Sequence, residues 1–242
     1  MKDVKNYLQG LQGVIFDYGG TIDSCGRHWS EVIYDGWKNA GLDVDKDVFR
    51  QAYVYAEREL ARVRHIMPDD DFHALLLKKM RIELQWMVDN AGFPAAQVEE
   101  KAAAIADYCD SEARRWVEHS IPVIQYLGER YPLVLVSNFY GNVEAVLKEY
   151  GLRHYFKAIV ESAVVGVRKP DPKIFTLGVE ALGVPAADVL VIGDSYRKDI
   201  LPALAAGCRA VWIKGKGWTY EEDAQEYDYV VHDLDELIQF VP

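Results

Sequence analysis

Four short runs of consecutive apolar residues mark the chain, at 14–16 (VIF), 133–136 (LVLV), 189–192 (VLVI) and 210–213 (AVWI). They are rich in β-branched residues and barely alternate with polar ones, the pattern of strands covered on both faces in a parallel sheet. Weaker candidates of the same kind lie at 158–160 and 229–231. The segments between them repeat apolar residues every three and four positions, as helices packed on one face do. NVEAVLKEYGL (142–152) has a natural C-terminal cap in Gly151, and YRKDILPALAAGC (196–208) has one in Gly207. KPDPKIFTLGVEALG (169–183) offers Asp171 as N-cap with Pro172 at the first helical position. Strand and helix alternate in this way from residue 121 onward. The pattern predicts an α/β fold with a doubly wound parallel sheet, Rossmann-like in plan.

The stretch from about 24 to 117 carries helical periodicity and no clear strand. Four helices are predicted, over 28–41, 47–63, 71–92 and 95–117. The first strand is therefore followed by an all-α insertion before the sheet resumes. We expect a core domain of residues 1–23 and 117–242 and a helical domain of residues 24–116. An insertion after the first strand sits over the carboxyl ends of the strands, where open α/β sheets bind ligands. Closure of that layer over the site is expected, with hinges near 20–26 and 114–120.

Composition narrows the partners. Half the residues are hydrophobic, so a sizeable core can form, and the formal net charge is −11. That excess of acid disfavours nucleic acid and anionic membrane surfaces, which require basic patches. A small anionic ligand in one local basic pocket remains compatible with it. Cys25, Cys109 and Cys208 are scattered without metal-binding spacing, as in a reduced protein. No apolar stretch suits a signal peptide or the ~18 residues of a membrane span. The expectation is a soluble, cytoplasmic protein, of an oligomeric state that the sequence leaves open.

The chemistry gathers where the strands end. Asp17 follows the first run, with Thr21 four residues on. Ser137 and Asn138 follow the second, and Gly193, Asp194 and Ser195 follow the third, with Asp199 beyond. Lys169 lies between them. In a parallel sheet these ends share one edge, so Asp17 and Asp194 would face each other with Ser137 and Lys169 beside them. Alone, an Asp at a strand end is more often a cap or turn residue. Four such clusters in order favour a site.

DYGGT (17–21), SN (137–138), KPDP (169–172) and GDSYRKD (193–199), in this order, resemble the haloacid dehalogenase (HAD) superfamily, and the insertion is similar to that family's mobile cap. The resemblance implies an enzyme, a hydrolase most simply read as a phosphatase, with Asp17 as a nucleophile that forms an aspartyl intermediate. It implies a Mg²⁺ site made by Asp17, the Gly19 backbone carbonyl, Asp194 and Asp199, a hard-oxygen set that suits this ion. It further implies that Lys169, Ser137, Asn138, Thr21 and the backbone near Gly20 receive the phosphoryl group of a small phosphorylated substrate. Asp199 is open to another reading, in which it holds Lys169 in place. The family's 2-haloacid dehalogenases work without metal and lack an acid at the place of Asp194, which favours phosphoryl transfer here.

One position departs from the pattern. The family's ordinary phosphatases carry a second Asp two residues after the nucleophile, and here that residue is Gly19. Three readings follow. The first is a slowed or restricted Mg²⁺-dependent phosphatase, best on good leaving groups such as acyl phosphates or aryl esters. The second is a phosphonatase- or dehalogenase-like enzyme that cleaves a bond to carbon, for which Lys38 and Lys46 are lysines of the insertion without a matching motif. The third is a non-catalytic binder of phosphate or a partner. Asp23 is read as a hinge or capping residue rather than a substitute acid. Arg27, His28 and Trp29 open the insertion as surface and packing residues or as substrate contacts. The acidic run between His65 and His73 is read as a helix start, and KGKGW (214–218) as a surface turn.

Overall fold

The structure, a computed structural model, describes residues 4–241. In chain order its strands are β1 (Gly13–Phe16), β2 (Leu133–Ser137), β3 (Phe156–Glu161), β4 (Val189–Gly193), β5 (Arg209–Ile213) and β6 (Val230–Val231). They pair in parallel in the order β3-β2-β1-β4-β5-β6. Each of the six expected apolar runs falls on one of them. The chain starts at the centre, moves outward through β2 and β3, then returns to the other side of β1 and moves outward again. That reversal puts β1 between β2 and β4.

The strands lack polar alternation because both faces are covered. Successive side chains of a strand point to opposite faces. Val14 and Phe16 enter one apolar cluster with Leu133, Leu135, Leu190 and Ile192. Ile15 enters the other with Val134, Val136, Val189 and Val191. A period of two is thus present in space although both sets are apolar in sequence.

The helices are α1 (Val4–Tyr7), α2 (Trp29–Asn39), α3 (Lys46–Arg62), α4 (Phe72–Ala91), α5 (Val98–Gly128), α6 (Val143–Glu149), α7 (Ser162–Val165), α8 (Lys173–Leu182), α9 (Leu201–Ala205), α10 (Tyr220–Asp223) and α11 (Glu236–Phe240). Helices α2–α5 correspond to the four expected between the first two strands. Helix α8 starts one residue later than expected, with Pro172 at the cap and Asp171 Oδ1 accepting the Lys173 N–H at 2.9 Å. Asp71 closes the acidic run as the N-cap of α4, accepting the Ala74 N–H at 2.7 Å. Such a cap is worth about 1 kcal/mol.

Two features depart from expectation. Helix α5 does not stop at 117 but runs unbroken to Gly128 with Pro122 inside it. Its buried stripe, including Val117, Val123, Ile124 and Leu127, continues past the proline and offsets the backbone bond that Pro122 cannot donate. The hinge expected over 114–120 therefore falls within a continuous helix. The loop 214–218 is also more than a surface turn. A Cβ on Gly26 would stand 2.6 Å from Gly215 N, so the two backbones touch. His28 donates its N–H to Lys216 O at 2.8 Å, Lys216 Nζ pairs with Glu31 at 2.6 Å, and Arg50 donates to Trp218 O at 2.9 Å. The loop clasps the start of the helical insertion.

Inside the insertion, α4 buries Glu83 completely. Burial pushes its carboxyl up from 4.5 to about 8, and nearby Lys79 only partly offsets this. Between those two values the folded protein holds a proton that the unfolded chain releases. The stability Glu83 contributes is therefore fully present below about pH 4.5 and is lost as pH rises through about 8. Thermal melts between about pH 5 and pH 9 should show Tm falling with pH. Glu83→Gln, which cannot ionise, should flatten that slope, and an unchanged slope in the variant would refute the assignment.

Candidate active site

The sheet order brings the strand-end residues together. Asp17 leaves β1 with its N–H donated to Ile192 O at 2.9 Å, which locks it to β4. Ser137, the last residue of β2, donates its hydroxyl to Asp17 Oδ1 at 2.9 Å. Lys169 Nζ lies 2.6 Å from Asp17 Oδ1 and 2.6 Å from Asp199 Oδ1. Asp199 Oδ2 accepts the Ser195 N–H at 2.9 Å, so both of its oxygens are engaged. Oxygens of Asp17, Asp194 and Asp199 lie within 4.8 Å of one another. One ammonium thus faces three carboxylates in a buried setting.

The protonation states follow from that imbalance. Burial opposes the charge on Lys169, but Asp17 and Asp199 more than offset it and hold the pKa above its ordinary value. Asp199 is pushed up to about 6 by burial, with Lys169 limiting the rise. Asp194 is raised further, by burial and then by the charges of Asp199 and Asp17. Like charges this close favour a proton or a cation among them.

The neighbouring residues are braces. Gly20 has φ +100°, and a Cβ there would sit 2.3 Å from Asp194 Oδ2, so no side chain fits. The Gly20 N–H donates to buried Asp23 Oδ1 at 2.8 Å, and Asp23 Oδ2 accepts Trp29 Nε1–H at 3.0 Å. Asp23 therefore ties the loop after β1 to the first residue of α2. Thr21 is fully buried, and its hydroxyl donates to Asp194 Oδ1 at 3.3 Å. The Gly20 N–H and the Thr21 hydroxyl thus each have a protein partner here. The Asn138 side-chain amide donates to Lys169 O at 3.0 Å and accepts the Lys169 N–H at 2.9 Å. It fixes the lysine backbone.

A cavity of about 400 Å³ opens above these groups. Asp17, Gly19, Ser137, Asn138, Lys169, Asp194 and Asp199 line it from the sheet side, and His28 and Trp29 from the insertion. Arg27 does not reach it and pairs with Asp35 at 2.6 Å. Lys38 and Lys46 do not reach it either, being paired with Asp35 and Glu31. Among the described residues, the lysine of the insertion that does is Lys79 on α4, beside Glu57 and Tyr53 of α3. Sequence reasoning passed over these three residues. The signal was present in Lys79 and Glu83, which interrupt the apolar stripe of Leu75, Leu76, Met80 and Leu84 on the buried face of α4.

Residues 11–207 match the sequence pattern of the haloacid dehalogenase-like hydrolases. The chain belongs to that family. Haloacid dehalogenase-like hydrolase domain-containing protein 3 of Danio rerio is 37% identical over 103 residues, covering 43% of this chain and 43% of that protein. A phosphoserine phosphatase of Thermus thermophilus is 38% identical over 87 residues, 36% of this chain and 34% of its own. The alignments thus span under half the length of these two relatives. A 2-haloacid dehalogenase of Pseudomonas syringae and a HAD phosphatase of Thermococcus onnurineus superimpose with TM-scores of 0.53 each, at 21% and 22% identity. Each comparison covers 96% of this chain and 98% of the other. Fold alone therefore does not choose between carbon–halogen and phosphoester chemistry. No described helix of the hydrolase is long and apolar enough to cross a membrane.

The donor set suits Mg²⁺. It consists of hard carboxylate oxygens, it is more negative than Lys169 alone offsets, and it leaves room on the cavity side for water or substrate. Removing the lysine tests the charge balance directly. Lys169→Met strands two buried carboxylates and should cost about 3–5 kcal/mol of stability in a denaturant titration without metal. A loss below about 1 kcal/mol would mean that the ammonium is not what holds the cluster together.

Proposed function

We propose that this HAD-like hydrolase is a Mg²⁺-dependent phosphohydrolase, acting on a small phosphorylated metabolite through an aspartyl-phosphate intermediate on Asp17. The observation that carries the reading is the convergence of Asp17, Asp194 and Asp199 within 4.8 Å beside Lys169 and Ser137. Asp17, the Gly19 carbonyl and Asp194 would hold the ion, with Asp199 reaching it through water while it positions Lys169. Bound there, Mg²⁺ would neutralise phosphoryl charge and so reduce its repulsion of a carboxylate. Phosphatase names among the relatives support the same reading, including a 5-amino-6-(5-phospho-D-ribitylamino)uracil phosphatase of Escherichia coli, 27% identical over 165 residues. The proposed division of labour is a core of residues 1–23 and 117–242 for chemistry and a cap of residues 24–116 for substrate choice. Three unpaired cysteines fit a cytoplasmic setting.

In the first step an Asp17 oxygen forms a bond to phosphorus as the bond from phosphorus to the leaving oxygen breaks. Lys169 and the Ser137 hydroxyl stabilise the transferring group. In the second, water attacks phosphorus and releases the Asp17 carboxylate and inorganic phosphate. Gly19 supplies no proton to the leaving oxygen and takes none from the water. Solvent must do both, so substrates with good leaving groups react best. The bond-to-carbon reading loses support at Lys79, the lysine of the insertion that reaches the cavity. Burial opposes its charge, but Glu57, with Tyr140, Tyr53 and Glu83 behind it, more than offsets this and raises the pKa, which disfavours the free amine that a Schiff base requires.

With Mg²⁺, the purified protein should hydrolyse acetyl phosphate and p-nitrophenyl phosphate, and Asp17→Asn should abolish both activities. Absence of turnover in the wild type on either substrate would refute the proposal. Gly19→Asp should restore general acid–base help. A Cβ at position 19 meets nothing closer than Trp29 Cδ1 at 3.6 Å, so the side chain can be accommodated. Turnover of alkyl phosphates should rise by up to ~10²–10⁴-fold, with a smaller gain on p-nitrophenyl phosphate.

A further inference from the structure

The insertion contributes a built polar group to the cavity. Lys79 is 4% exposed, forms an ion pair with Glu57, and stands 4.3 Å from the Tyr53 ring centroid. Tyr140 donates its hydroxyl to Glu57 Oε1 at 2.8 Å. Both donors fall on Oε1, the Lys79 ammonium and the Tyr140 hydroxyl, and among the described residues Oε2 receives none. Glu57 lies deep in the protein, yet its side chain keeps 36% of its surface, open to the cavity. Burial pushes its pKa up, but Lys79 and then Tyr140 more than offset this and keep it an anion. An ionised oxygen facing an aromatic-walled cavity is an acceptor that a ligand's donor can fill with a charge-assisted hydrogen bond.

The surroundings state what that donor belongs to. Trp29, Tyr53, Phe72, Phe139 and Tyr140 wall the cavity, which favours a flat ring over a short aliphatic chain. Lys79 and Glu57 offset each other, so neither a carboxylate nor an ammonium on the leaving group finds an uncompensated counter-charge in that pair. The volume of about 400 Å³ exceeds what a two- or three-carbon phosphoester fills. Gly19 adds an independent constraint, since without a proton donor the ester must break to a stable oxyanion.

We propose that Glu57 is the specificity-determining acceptor for the leaving group, and that the substrate is the phosphate monoester of an uncharged, phenol-type ring carrying an O–H or N–H donor on its far edge. This rests on the phosphohydrolase reading above. The ring lies among the aromatic walls, its far donor bonds Glu57 Oε2, and its ester oxygen departs without protonation as Asp17 attacks.

The test compares kcat/KM for four aryl phosphates of one ring size: phenyl, 4-hydroxyphenyl, 4-acetamidophenyl and 4-carboxyphenyl phosphate, with acetyl phosphate as a ringless reference. At least one of the two donor-bearing esters should exceed phenyl phosphate by about tenfold, mainly through KM, as a charge-assisted hydrogen bond allows. The 4-carboxyphenyl ester should fall below phenyl phosphate. In Glu57→Gln, which keeps acceptors for Tyr140 and Lys79, the donor advantage should shrink to about threefold or less. Tyr53→Leu, checked for folding by its melting curve, should weaken every aryl ester relative to acetyl phosphate. A carboxyphenyl ester equal to or better than the donor esters in the wild type overturns the proposal and leaves the phosphohydrolase reading standing. So does a donor advantage that survives Glu57→Gln. No hydrolysis of acetyl phosphate overturns both.

Discussion

The Lys169 ammonium, held between Asp17 and Asp199, is the contact on which the site depends. Three carboxylates cannot sit within 4.8 Å of one another in a buried pocket without compensating charge. The lysine supplies part of it, and the structure spends several other contacts on keeping it there. Asn138 holds its backbone with two hydrogen bonds, and Asp199 is in turn fixed by the Ser195 N–H. The charge left over is what makes the cluster receptive to a divalent ion. Burial, and then the same excess, raises Asp194, the acid that Gly20 leaves room for by having no side chain.

The sheet converts distant sequence positions into neighbours. Asp17, Ser137 and Asp194 are far apart in the chain but follow β1, β2 and β4, and β1 pairs with both of the others. That much was legible before any coordinates, because a buried parallel strand ending in a polar residue has a short and specific pattern. The bracing roles were not. Thr21 and Asn138 read as phosphate ligands, and their contacts to Asp194 and Lys169 were not foreseen. Sequence order identifies which residues reach an edge but not which way a hydroxyl or an amide turns. The end of α5 was equally hidden. The helix was expected to end at 117 with a hinge over 114–120, whereas burial of one continuous stripe carries it to Gly128, past Pro122.

Charge is distributed against the average. The chain carries a formal −11, yet the cavity is lined by Lys79, Arg168, Lys169 and Lys198 as well as by Asp17, Glu57, Asp194 and Asp199. The net negative charge of the chain therefore coexists with a pocket that holds cations beside its acids. The insertion accounts for the outer part of this balance. Its Lys79–Glu57 pair is internal and nearly neutral, so it can select by hydrogen bonding without competing for the phosphate. The clasp of loop 214–218 on α2 and α3 holds that pair over the strand ends, with Trp218 packed against His28 and Tyr53, ring centroids 5.2 and 5.4 Å away.

The glycine at position 19 is better understood through the residues around it than as a simple loss. Trp29 stands 3.6 Å from where a Cβ would be, and its indole N–H is held by Asp23. Burial pushes Asp23 up to about 8, so near neutrality it retains its proton, but the group is tied to the Gly20 N–H and to Trp29 and does not line the cavity. It cannot deliver that proton to a leaving oxygen. The space next to Asp17 is therefore bounded by an aromatic ring. An aromatic wall at this point cannot assist a poor leaving group, but it can pack against a flat one. On the proposed reading, recognition of a phenol-type ring and departure without leaving-group protonation require the same kind of substrate, and Gly19 with Trp29 is where the two requirements meet.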